Sequence, residues 1–358
     1  MQYKFLIYIS YSYSIPIGEP LENEILNKGD NVMWFSDTKQ GFDKIKHQSN
    51  TLSSIQDVIN YEPHIVLTLT NLVPDFISGL KVQVFHGFNA KKRKSKKNKY
   101  SHFNIRGFFD LYCTQGPSTT CYFNKLAAQY KHFKVIETGW PKVDPLFQTE
   151  SSETIYNNIM IASTFTKSLS LAFDDSFYQE IKRLVGSGKY NFQMVLHPKM
   201  PSEIVEKWKK LNSEHFEFID TYNLIPVFKN NRLLVSDNTS AISEFLLQEK
   251  PVIAYKNINQ PDYLINIDTA SQLELLLISK NLLSEELLKN IRHYNKELHP
   301  YSDGLSSKRV IDSCIQYLHE DKTSVKSKPV NLIRKFKIRK KLKHFTLKTH
   351  NKPLTICK

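Results

Sequence analysis

The chain of 358 residues has little with which to cross-link itself: its four cysteines, Cys113, Cys121, Cys314 and Cys357, show no CxxC spacing. That argues against a disulfide framework and against a cysteine zinc site, and leaves reduced thiols as the default. Eleven glycines and fifteen prolines are too few for a low-complexity or collagen-like chain. No apolar run approaches the roughly 18 residues that a membrane-spanning helix needs. The opening MQYKFLIYIS reads as a first strand and lacks the features of a signal peptide, so the expected location is the cytoplasm. No GxGxxG follows that strand, which removes support for a nicotinamide or flavin dinucleotide site.

Charge is abundant but unevenly placed. Of the 49 Lys and Arg, 13 fall in residues 322–358, a stretch without a single acid, so that residues 1–321 hold 36 basic against 35 acidic side chains. A second basic block, KKRKSKKNK at 91–99, adds seven positive charges. The net charge of +14 is therefore local equipment on a nearly neutral body, and the overall pI says little about partners.

The apolar patterning alternates strand and helix. KFLIYIS, NVMWFSD, HIVLTLT, KVQVFHGF and FDLYCTQ read as short strands buried on both faces, with SIQDVINY as a helix among them. After the polar QTESSET a second series begins: NIMIAST, FQMVLHP, FEFID, RLLVSD and PVIAY as strands, with FYQEIKRLV, PSEIVEKWKKLN and SAISEFLLQ as helices. Two parallel α/β domains are predicted, at 1–150 and 151–321, with a basic tail at 322–358 and helices over 284–297 and 305–319.

Three constellations stand where an open parallel sheet presents ligands, just past strand ends. Phe85-His86-Gly87 puts an imidazole beside a residue that permits close approach, and an imidazole is suited to accept a proton near neutrality. His197-Pro198-Lys199 closes another strand with two groups able to neutralise a phosphate. Ser236-Asp237-Asn238-Thr239-Ser240 joins a strand to a helix, with hydroxyls and backbone amides for an anion and Glu244 one turn on. Each also has a plain structural reading: a locally bonded histidine, a turn, a helix cap.

In their order these segments resemble the CDP-glycerol glycerophosphotransferase family. The likeness rests on His86-Gly87 followed by Lys91 and Lys92, on FDLYCTQGPSTTCYFNKLA, on KVIETGWPKVDPLF, on the His-Pro pair, on the Ser-Asp strand end before KPVIAY, and on YSDGLSSKRVID with Gly304. It spans roughly residues 82–315 and departs from the family where Phe88-Asn89-Ala90 replaces the usual Thr-Pro-Leu. The resemblance implies a GT-B-like fold of two facing Rossmann-like domains with the ligand in the interdomain cleft, and neither cofactor nor essential metal. It implies transfer of glycerol phosphate from CDP-glycerol to a hydroxyl of a lipid-linked saccharide or polyol-phosphate acceptor, with release of CMP, in the synthesis of teichoic-acid-type surface polymers. It matches His86 to the catalytic histidine and His197 to a second histidine at the donor phosphates. Ser236, Asp237, Thr239 and Ser240 then fall to donor binding, Lys199, Ser306, Ser307 and Arg309 to further phosphate contacts, and Glu244 to the cytidine ribose.

A nucleotide-sugar glycosyltransferase or a sugar-nucleotide epimerase would use the same architecture. A nucleic-acid-binding protein is the reading from another class, motivated by the two lysine-rich blocks but unsupported by any binding motif, so no nucleic acid is expected. In the tail, Leu332, Ile333, Phe336, Ile338, Leu342 and Phe345 alternate with seven basic residues between 334 and 343. This predicts a charge-led anchor over residues 330–348 on an anionic membrane surface, holding the protein at the inner face of the cell membrane, with a solvated, disordered tail as the alternative. The tail is expected to be separable, so that a chain ending at Asp321 keeps its fold.

Overall fold

The computed structural model describes residues 1–88, 103–148, 158–279 and 282–356. Asn89, Ala90, Lys91 and Lys92, the rest of the KKRKSKKNK block, most of the polar QTESSET segment and Cys357 lie outside the described residues. The chain divides into two compact units, Met1–Phe147 with Glu297–Lys358, and Gln148–Lys296.

The first unit is built on six parallel strands: β1 (Lys4–Ile9), β2 (Asn31–Ser36), β3 (Ile65–Thr68), β4 (Leu80–Val84), β5 (Leu111–Thr114) and β6 (Lys134–Glu137). They lie in the order β2-β1-β3-β4-β5-β6. The runs KFLIYI, IVLT, LKVQV and LYCT are buried almost throughout, as a sheet covered on both faces requires. Ser54 and Asp57 form a reciprocal capping box that starts the helix Ile55–Tyr61, as SIQDVINY predicts.

The second unit repeats the plan with β7 (Asn158–Ser163), β8 (Asn191–Leu196), β9 (Phe216–Phe218), β10 (Asn231–Ser236), β11 (Val252–Tyr255) and β12 (Ile265–Ile267). Its order is β12-β11-β10-β7-β8-β9, again all parallel. The sequence reverses direction across the sheet between β7 and β10, and in the first unit between β1 and β3. Such switch points open a crevice at the strand carboxyl ends. One core cluster, from Ile159 and Leu171 through Trp208 to Leu273, packs one face of this sheet.

The expected division differs from the observed one after residue 296. Residues 297–321 do not complete the second domain; the helix Ser306–His319 buries Val310, Ile311, Cys314 and Leu318 in the first unit. Its Asp312 pairs with Lys28 at 2.7 Å.

The basic tail is likewise part of that unit. A helix, Leu332–Leu342, lies where the direct connection from β3 to β4 leaves the sheet without a crossover helix. Its Ile338 joins the cluster of Leu6, Val66, Phe76, Ile77 and Phe108, with Leu342 at the margin. Two buried acids of the body meet the tail's cations: Asp75 takes Arg339 at 2.6 Å and Lys335 at 3.3 Å, and Asp110 takes Lys328 at 2.6 Å. Backbone bonds from His350 to Asp75, Lys328 to Asn351 and Ile356 to Leu318 fasten the returning segment. Removing one partner of such a buried pair costs about 3–5 kcal/mol, because the other charge is left uncompensated. The expectation of a separable tail is therefore corrected.

Candidate functional site

In the first unit β4 runs into Phe85-His86-Gly87, and the turn is held at both of its flanking carbonyls. The Trp140 indole N–H donates to the Phe85 carbonyl at 2.6 Å, and the Gln115 amide donates to that of Gly87 at 3.0 Å. Phe88 is buried with its ring edge on Trp140, 4.5 Å between centroids. Trp140 itself is placed by Gly139, which turns the chain at a φ of 81°. A Cβ there would fall 2.5 Å from Ser306 Oγ and 2.9 Å from His299 Nε2, so only glycine fits. At Gly87, by contrast, an added Cβ would meet no atom of the described residues within 4 Å.

The His86 ring lies 5.9 Å from that of Tyr13, which stacks in turn on Tyr11 at 5.5 Å. Both tyrosines follow β1 at the switch point and are only partly exposed, Tyr13 with 41% of its surface. Burial pushes the Tyr13 phenol up, with Tyr11 and Asp37 adding to the effect.

In the second unit the loops after four adjacent strands meet around the switch point. Asp237, fully buried at the end of β10, accepts from Ser163 Oγ at 2.6 Å and from the amides of Thr164 and Leu171. It thereby ties the loop after β7 to the loop after β10. Burial raises its carboxyl to about 6, against the donors that favour the charged form. On the β11 side Asn257 donates to the Asp237 carbonyl and the Ile258 amide to Asn238 Oδ1. Asp174 is held well below the usual carboxylate range, since burial is outweighed by Lys256, Ser176 and Tyr255.

His197 ends β8 with its ring 4.5 Å from Phe165, and Lys199 Nζ sits 5.7 Å from the same ring. The Lys199 amide donates to His197 Nδ1 at 3.0 Å, so the neutral ring carries its proton on Nε2. His197 and the exposed Lys199 ammonium thus stand side by side at the strand end, a pair able to receive a phosphate.

The remaining expected donor residues divide by placement. Thr239 and Ser240 keep some exposure in the β10 loop, ahead of the six-residue helix Ala241–Leu246. Ser236 and Asp237 do not face solvent: the Ser236 hydroxyl is spent on the Ala162 carbonyl. Glu244 is buried, as is Ser243, whose hydroxyl is 2.8 Å from that of Tyr294. Ser306, Ser307 and Arg309 belong to the first unit. There the two serine amides and the Ser307 hydroxyl all bond Asp144, and Arg309 pairs with Asp303 and covers the Tyr301 ring at 4.0 Å. Sequence reading missed Trp140, Gln115, Phe165 and Asp144 as supports. Trp140 and Gln115 stand in quoted motifs, whereas nothing marked Phe165.

Among the described residues no group of three or more His, Cys, Asp or Glu is arranged to hold a metal ion. No helix among them is long and apolar enough to cross a membrane.

Solved structures of similar fold include the wall teichoic acid polymerase TagF soaked with CDPG, at a TM-score of 0.63 and 11% identity over 87% of this chain and 88% of that one. A UDP co-structure of MnaA from S. aureus matches at 0.60 and 13%, covering 92% and 99%. A UDP-N-acetylglucosamine 2-epimerase from Listeria monocytogenes, so described provisionally, matches at 0.58 and 14%, covering 88% and 97%. These likenesses establish the two-sheet GT-B fold and nothing finer. No curated protein sequence matches significantly. The sequence profile described as CDP-Glycerol:Poly(glycerophosphate) glycerophosphotransferase matches residues 79–263, from the strand that leads to His86 through the Asp237 loop and β11. With just over half of its residues inside that match, the chain belongs to the CDP-glycerol glycerophosphotransferase family and is an enzyme of that kind.

Proposed function

We propose that the protein transfers glycerol phosphate from CDP-glycerol to a hydroxyl of a lipid-linked saccharide or polyol-phosphate acceptor and releases CMP, in the synthesis of a teichoic-acid-like surface polymer. The observation that carries the donor half is the end of β8, where His197 and Lys199 stand together on the Phe165 ring. These groups, with Thr239 and Ser240, receive the diphosphate, while buried Asp237 fixes the loops and does not touch the donor itself.

His86 is the general base. Its ring takes the proton of the acceptor hydroxyl as that oxygen attacks the phosphorus bearing the glycerol. The bond from that phosphorus to the bridging oxygen of CMP breaks, a phosphodiester forms, and CMP departs with the electron pair. His197 and Lys199 stabilise the charge that gathers on the leaving phosphate, and no step calls on a metal. Full activity in excess EDTA is the expected result; loss on chelation, restored by magnesium or manganese, would overturn it.

The reading supports an assignment to the membrane surface, where a lipid-linked acceptor resides, with residues 330–348 as the contact. Incubation with CDP-glycerol, CDP-ribitol or UDP-sugars and a lipid-linked saccharide extract, following CMP or UDP release, is the direct test. Release of UDP alone would favour the glycosyltransferase or epimerase reading.

A further inference from the structure

The C-terminal helix is packed inside out. Lys335 and Arg339, each less than a tenth exposed, face inward to Asp75, together with Ile338. Leu332, Ile333 and Phe336 face outward, and the returning segment sets Phe345 beside them, its ring 6.3 Å from that of Phe336. With Leu347 these residues range from 57% exposed at Phe336 to 99% at Leu347. Five large apolar side chains kept in water by a helix that buries two cations is a costly arrangement unless something covers them.

The surroundings say what kind of surface that is. Arg334, Lys337, Lys340, Lys343 and Lys348 are exposed around the patch, and residues 322–358 contain no acid. A second copy of this chain would set those cations against themselves. An anionic bilayer meets both demands, with an apolar interior beneath a layer of phosphates.

We propose that this face seats the first unit on an anionic membrane, with Leu332, Ile333, Phe336, Phe345 and Leu347 at headgroup depth and the surrounding cations on lipid phosphates. The proposal deepens the reading of a lipid-linked acceptor and rests on it. It replaces a loose, charge-led tail with a rigid seat, because the Asp75 pairs fix which side of the helix turns outward. The seat is also oriented. The tail runs from Lys328 on Asp110, just before β5, to Lys341 on Asp37, just past β2. Asp37 lies just past the carboxyl end of β2 and His86 just past that of β4, so the last turn of the helix reaches the same carboxyl end of the sheet as the base.

The test is sedimentation of the full chain with phosphatidylcholine vesicles, with and without phosphatidylglycerol, at low and high salt. Binding should require phosphatidylglycerol at low salt and persist, reduced, at high salt. The combined variant Leu332→Ser, Ile333→Ser, Phe336→Ser should lose at least about tenfold in vesicle affinity while melting like the parent and turning over a water-soluble acceptor analogue normally. Equal binding by variant and parent overturns the proposal, as does a parent that ignores vesicles. A parent that forms a dimer without lipid, abolished by the same variant, overturns it in favour of self-association. Vesicle binding without CMP release on any acceptor would leave the seat standing and sink the functional reading instead.

Discussion

The two units share a six-stranded parallel sheet but differ in how they are finished. The second is one continuous stretch, Gln148–Lys296, around an apolar core, and its site loops converge on the buried carboxylate of Asp237. The first is assembled from two distant stretches, and its tail is held on by buried charge pairs at Asp75 and Asp110. Buried ion pairs add little net stability against apolar packing, but they punish any change that removes one partner. The difference predicts that the first unit is brittle toward loss of its tail and the second tolerant of it.

The largest effect is expected from ending the chain at Asp321. Asp75 and Asp110 then lose their cations, and the apolar cluster around Phe76 loses Ile338. Calorimetry should show the first unit unfolded or melting far lower, with the second unit's transition in place; a truncated protein with both transitions intact would refute the comparison. Next comes His86→Ala, with about a hundredfold to ten-thousandfold loss of turnover and donor affinity unchanged, because a base acts on the transition state. Near-normal turnover would remove His86 from the mechanism.

On the other unit, His197→Ala and Thr239→Ala should weaken CDP-glycerol binding itself, by roughly tenfold for His197, since charge-assisted bonds to phosphate exist already in the ground state. Phe165→Ala should do so more mildly by freeing the His197 ring. Unchanged titration calorimetry in all three would place the donor elsewhere.

The smallest effect separates the units by pH. Burial lifts the Asp237 carboxyl from 3.8 to about 6, so in that window the folded second unit keeps a proton that the unfolded chain has released, and stability falls as pH rises. Burial lowers His299 from 6.5 to about 4, so the unfolded chain binds a proton that the folded first unit refuses, and stability falls as pH drops. Melting temperatures between pH 4 and 6.5 should move in opposite directions, and Asp237→Asn should flatten one slope only.

Much of the sheet architecture was legible because buried parallel strands leave short apolar runs, as in KFLIYI, NIMIAS and PVIAY. The three site turns were legible too, since His86, His197 and Asp237 each follow such a run directly. What could not be read was which partners those turns would find. Ser306 and Ser307 look like phosphate ligands by type, yet Asp144, over 160 residues away, claims their donors. Lys335 and Arg339 look like solvated tail charges, but Asp75 draws them inward, and nothing local announces a pairing across more than 250 residues. Strand ends are local facts; ion pairs of this kind are decided by the finished topology.

The split construction of the first unit also sets an order on synthesis. As the chain emerges, residues 148–296 hold all the strands of their own sheet and are free to close on themselves. The half that carries His86 must wait for the helix Ser306–His319 and for the segment beyond Lys328 before Asp144, Asp75 and Asp110 find their partners. The ribosome thus releases a half carrying His197 that is finished early and a half carrying His86 that is completed last, so that an interrupted chain lacks a finished first unit.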